Sequence, residues 1–168
     1  KFERLTLSSL ATAPGGRGLF VNAYKTWFKD KLWIKSSIAK KLRISPDNIL
    51  FSDHHLSHAA ASFFTSPFDS AALLTCDGVG EWTTTAWGKG NGNKVNLTKE
   101  LKYPHSLGLF YSAFTQFLGF QINEGEFKVM GLAPYGEPKY VDKVEKLINQ
   151  STEGAFQLNL KYFQFHTS

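Results

Sequence analysis

The chain has 168 residues and a formal charge of +5, a length that suits one domain with a buried core. Hydrophobic residues make up 42% and aromatics 15%, which excludes a disordered chain, and apolar runs such as Ala71 to Leu74 are far too short to cross a bilayer. A single cysteine, Cys76, excludes an internal disulfide framework and favours a reducing, cytoplasmic compartment.

Residues 2–12 (FERLTLSSLAT) read as a short helix closed by Pro14-Gly15-Gly16. A long amphipathic helix, open to a break, is expected over 20–43. Between Arg17 and Arg43 eight basic residues stand against Asp30, a local +7 that leaves −2 elsewhere. Such a segment can contact nucleic acid or anionic lipid. Here Trp27, Phe28, Ile34, Ile38 and Leu42 recur at helical intervals, so the lysines are read as the wet face of a helix. Ser45-Pro46-Asp47 makes a turn, Asn48 to Ser52 a short strand, and a helix near 53–64 starts at Ser52 or Asp53 as cap.

The pattern then changes. Ser70 to Cys76 is a near-continuous apolar run suited to a buried strand. Asp77-Gly78-Val79-Gly80 is a tight turn, Glu81 to Gly88 a second strand, Lys89 to Asn93 another turn, and Val95 to Tyr103 a third strand. Strands joined this closely form an antiparallel meander. Ser106 caps a helix whose Leu107, Phe110, Phe114 and Leu118 share a stripe, and Gly119 stops it. A charged, Gly-rich loop spans Asn123 to Gly136. Pro138 opens a helix with Val141, Val144, Leu147 and Ile148 on one face, and Phe156 to Phe165 is a final strand.

Three of the five histidines fall within five positions, in Asp53-His54-His55-Leu56-Ser57-His58. On a helix, His54 and His58 are one turn apart and can reach a single ion from one face. His55 and His58, three apart, are the competing pair, and polar residues at a helix start can also simply bond to backbone. Asp77 closes a buried strand, where open α/β sheets place ligand-binding groups, although an Asp-Gly hairpin turn needs no ligand at all. Two imidazoles and one carboxylate leave coordination positions open, a set suited to iron or zinc. Gly78 and Gly80 permit a backbone whose N–H groups converge on a phosphate. In the 123–136 loop, Glu124 and Glu126 are candidate general bases and Lys128 a cationic contact for phosphate or carbonyl oxygen; by spacing alone they equally suit a solvated surface loop.

Four stretches together carry a resemblance: DHHLSHAAASFFTSPF (53–68), AALLTCDGVGEWTTTAWGKGNGN (71–93), YPHSLGLFYSAFTQFLGF (103–120) and NEGEFKVMGLAPYGEP (123–138), with FERL (2–5) upstream. They resemble the carbamoyltransferase family that includes nodulation-factor and antibiotic O-carbamoyltransferases. The resemblance implies an α/β amino-terminal domain similar to the tRNA-threonylcarbamoyladenosine enzyme, in the actin, Hsp70 and sugar-kinase (ribonuclease H-like) superfold. It implies carbamoyl phosphate and ATP as substrates, carbamoyl-adenylate made in a separate carboxy-terminal domain, and transfer to a hydroxyl of a sugar or antibiotic. His54 and His58 match the family's metal-binding HxxxH and Asp77 its strand-end carboxylate. On this reading residues 1–168 are a fragment of the amino-terminal domain, inactive without its missing half. The rivals are a tRNA threonylcarbamoyl transferase, a sugar kinase, or a non-catalytic module binding nucleotide or nucleic acid. Neither membrane nor nucleic acid is expected as a partner.

Overall fold

The computed structural model describes residues 2–151 and 155–163. The chain divides into two compact units, one over residues 1–54 and one over 55–164.

The first unit is helical: α1 (Phe2–Ala11), α2 (Arg17–Thr26), a wider π-type turn (Trp27–Lys31) and α3 (Ile34–Leu42). The expected long helix is therefore broken at the π turn, where the Leu32 N–H reaches back five residues to the Trp27 carbonyl. Tyr24 ties this unit together, its hydroxyl 3.3 Å from the Thr6 hydroxyl and its ring 4.1 Å from that of Phe20. The basic side chains are largely exposed, but so are Phe28, Ile34 and Leu42 of the expected apolar stripe, and Ala39 is the buried position of α3. Asn48 to Ser52 is not a strand. Pro46–Asn48 is a 3-10 turn capped by Ser45, and the chain beyond it runs irregular and exposed. A strand needs a partner for its N–H and C=O groups, and none pairs with it among the described residues.

The second unit is built on a meander of β1 (Ser70–Cys76), β2 (Thr83–Asn91) and β3 (Lys94–Lys102), antiparallel in the order β1-β2-β3. β2 runs through Lys89 and Gly90, which the sequence reading gave to a turn; the turn itself is only Gly92 and Asn93, with Gly92 at φ +55°. Helix α4 (His54–Phe64) covers one face of the sheet. Its Ala59 and Phe63 form the core with Leu73, and Ala71, Val95 and Leu97 pack around them. Opposite Ala71, Leu73 and Thr75, β2 offers only Gly90, Gly88 and Ala86. That row of small residues lets α4 come close: a Cβ on Gly90 would lie 2.6–2.7 Å from the Phe63 ring. The other face, with Leu74 and Trp87, borders an apolar cavity of about 480 Å³.

Beyond the sheet come α5 (Leu107–Phe117), α6 (Glu126–Leu132), α7 (Val141–Glu145) and a two-stranded pair, β4 (Ile148–Gln150) with β5 (Phe156–Leu158). Ser106 caps α5, and Gly119, at φ +86°, follows its end as the sequence suggests. Phe110 and Phe114 pack edge to face at 5.0 Å, whereas Leu107 and Leu118 of the same stripe are exposed. The loop expected over 123–136 is half helix, because Glu-Phe-Lys-Val-Met are adequate helix formers once the chain is turned at Gly125. The helix expected from Pro138 is a single turn at 141–145, and Ile148 belongs to β4 because it pairs with Leu158. The final strand ends at Leu158 in a 3-10 turn (Leu160–Tyr162); its expected last residues, 164 and 165, lie outside the described residues.

Candidate metal centre

Helix α4 and strand β1 are joined by a short turn and lie against each other, so the start of the helix stands beside the end of the strand. The residues at those two ends therefore meet. His54, His58 and Asp77 each present one ligand atom, and the three atoms all lie within 4.8 Å of one another. The boundary between the two compact units falls inside α4, just after His54, so both histidines ride on one continuous helix. Donors bonded to one ion at about 2.0–2.2 Å stand roughly 3–4.4 Å apart. The observed set is only slightly wider. His58 Nε2 is 3.7 Å from Asp77 Oδ2, too long for a hydrogen bond and in range for two ligands of a shared ion. The group is half-buried to exposed, so further ligands can approach.

His55, the competing histidine, is turned into the fold. It continues the buried row His55, Ala59 and Phe63, four residues apart, and is 5% exposed. Its Nδ1 is 2.7 Å from Thr75 Oγ1 and its Nε2 2.9 Å from the Thr83 carbonyl oxygen. The rings of His55 and His58 stand 6.3 Å apart, but both ring nitrogens of His55 are taken up by Thr75 and Thr83.

Asp77 is fixed by its backbone. Its N–H donates to the Thr84 carbonyl (2.9 Å), and its Oδ1 accepts from the Gly78 N–H (2.6 Å). The fully buried Ser106 hydroxyl donates toward the carbonyls of Gly78 (2.6 Å) and Asp77 (3.1 Å) while accepting from the Leu109 N–H (3.0 Å). Thr84, also fully buried, donates its hydroxyl to the His105 carbonyl at 2.5 Å. The N–H of Gly78 is thus engaged, and that of Gly80 donates to the Thr83 carbonyl at 2.9 Å. The turn as folded does not offer these two groups to a phosphate; what Gly78 provides is open space, with nothing within 4 Å of where a Cβ would stand.

Glu124, Glu126 and Lys128 lie at the start of α6, outside the histidine–aspartate group. Glu126 Oε1 accepts from the Asn123 N–H (3.0 Å) and the Ser112 hydroxyl (2.8 Å), and these bonds, the Asn123 one first, hold its carboxyl below the usual range. Lys128 lies over the Phe127 ring at 5.9 Å. Sequence reasoning weighed His55 only as a ligand and Ser106 only as a helix cap, and missed their supporting bonds and that of Thr75. The signal for His55 was its register with Ala59 and Phe63; for Thr75 no comparable pattern exists.

Residues 2–168 match the family model described as the carbamoyltransferase N-terminus. The chain is 49% identical over 174 residues, 99% of its own length, to the uncharacterized protein sll1178 of Synechocystis sp.. It is 34% identical over 133 residues to the nodulation protein NolNO of Sinorhizobium fredii, and 33% identical over 112 residues to NolO of Bradyrhizobium diazoefficiens, covering 77% and 64% of the chain. This chain belongs to the carbamoyltransferase N-terminal family. It spans 28%, 19% and 20% of the length of these three relatives. No helix among the described residues is long and apolar enough to cross a membrane.

Proposed function

We propose that this chain carries part of the transfer site of an O-carbamoyltransferase, which moves a carbamoyl group from carbamoyl-adenylate, made from carbamoyl phosphate and ATP, to the hydroxyl of a sugar or similar small molecule. The convergence of His54, His58 and Asp77 carries the reading. Two neutral imidazoles and one carboxylate with open positions around them suit iron, with zinc as second choice. When bound, such an ion supplies Lewis-acid polarisation of a carbonyl or phosphate oxygen. The protein's own contribution is to hold the three donors on a helix and a strand end, with the Ser106 hydroxyl and the Thr84 carbonyl bonded to the Asp77 backbone. The actin-like superfold is the architecture that suits this role, and the meander followed by α5 is consistent with one half of it.

Glu126 is the proposed base for the acceptor hydroxyl, with Glu124 as alternate and Lys128 as the group steadying developing charge. The hydrogen bonds from the Asn123 N–H and the Ser112 hydroxyl lower the Glu126 carboxyl and make it a weaker base in the folded chain. Gly78 would leave room for the nucleotide phosphates.

Elemental analysis of the purified protein, with His54→Ala and His58→Ala alongside, tests the centre. About one iron or zinc per chain, lost in both variants, is expected. Metal content unchanged in the variants would end the proposal. In the full-length enzyme, Glu126→Gln keeps an acceptor for Asn123 and Ser112 but removes the base, and carbamoyl transfer at the wild-type rate would discard that role.

A further inference from the structure

We infer that His55 is a positioning residue that holds the two halves of the ligand set in register; this rests on the proposed metal centre. His54 and His58 come from α4, and Asp77 from the turn after β1. Packing of Ala59 and Phe63 on Leu73 seats α4 on the sheet, and His55 adds directional bonds from its first turn to β1 and β2.

The first residues of β2 are where the two elements meet. The Thr83 carbonyl accepts from His55 Nε2 on the helix side (2.9 Å) and from the Gly80 N–H on the turn side (2.9 Å). The next carbonyl, of Thr84, accepts the N–H of Asp77 itself (2.9 Å). One buried imidazole therefore ties the first turn of α4 to the same short stretch that fixes the aspartate turn. A carbonyl only accepts, so Nε2 donates to Thr83, and Nδ1 stands 2.7 Å from the Thr75 hydroxyl on β1, which also reaches the Ala86 carbonyl at 3.3 Å. Thr75 is itself 7% exposed. With both ring nitrogens used, on two different strands, the ring can neither flip nor slide without breaking a buried bond. The helix rotation that results is the one that turns His54 and His58, which lie to one side of His55 at about 100° and 60° around the helix, toward Asp77.

The test separates positioning from plain stability. Co(II) is the probe, because its visible spectrum reports ligand geometry as well as occupancy. His55→Phe fills the site and keeps neither bond; His55→Gln keeps a donor that reaches the Thr83 carbonyl. At a temperature where circular dichroism shows all variants folded, His55→Phe should bind Co(II) about 10–100-fold more weakly, with an altered spectrum, and His55→Gln should recover most of the loss. If His55→Phe does not fold, Thr75→Val, which removes the Nδ1 partner together with the longer Thr75–Ala86 bond (3.3 Å), should weaken Co(II) by about ten-fold. A folded variant of either kind with wild-type affinity and spectrum overturns the inference, whatever its melting temperature. Wild-type protein that binds no Co(II), or whose binding survives His54→Ala and His58→Ala, overturns the metal centre and this inference together.

Discussion

Gly108 lies in the first turn of α5, pressed against the backbone that presents Asp77, and replacing it with alanine probes how that carboxylate is held. The added Cβ would stand 2.5 Å from the Gly78 nitrogen and 2.6 Å from the carbonyl carbon and oxygen of Asp77. These are backbone atoms anchored by Ser106, so no rotamer change relieves the contact. Ordinary contact begins at about 3.4 Å, so the turn and the helix must part by about 0.9 Å, the difference between 3.4 and 2.5. Overpacking of this kind costs about 1–3 kcal/mol. Disturbing a contact that supports a metal ligand weakens binding about 10–100-fold. Gly108→Ala should therefore unfold at lower urea concentration and lose metal in competition with a chelating dye. Wild-type values in both assays would refute the idea that α5 sets Asp77. Reduced stability with wild-type metal affinity would keep the contact but detach it from the site.

Two further outcomes test the frame behind the site. Phe63→Ala empties the centre of the α4–sheet core, where Phe63 is 3% exposed beside Ala59 and Leu73, and should cost about 3–5 kcal/mol in urea unfolding; a loss below about 1 kcal/mol would contradict that placement. His105 is held below the ordinary histidine range by burial, and its Nδ1 accepts the Leu158 N–H at 3.1 Å. The unfolded chain takes up this proton near pH 6.5, before the folded chain does. The stability tied to the neutral ring is thus whole above about pH 6.5 and is lost as the pH falls toward the folded value. Urea midpoints should drop between about pH 7.5 and 5, less steeply in His105→Gln, and equal slopes would reject the assignment.

Local periodicity offered His54 or His55 as the partner of His58 and put Asp77 at a strand end, because residue spacing on a helix or strand is set by the backbone itself. The meander was legible for the same reason: alternation and Gly-rich turns are written in neighbouring residues. Other features depended on partners distant in the chain. Gly90 reads as a turn residue, yet it lies within β2 because Phe63 needs the space above it. Ile148 reads as part of a helix face, yet it pairs with Leu158, ten residues on.

The composition and order of residues thus determined the family and the meander, and narrowed the candidate ligands to His58, Asp77 and one of His54 and His55. Tertiary structure alone decided which histidine turns inward. Helix α4 could present His55 or His54 to Asp77 with equal local ease, and only the burial of Ala59 and Phe63 against Leu73, together with the bonds from His55 to Thr75 and Thr83, sets its rotation. Rotation of a helix about its axis costs nothing until something packs against it, and what packs here comes from strands that follow it in the chain.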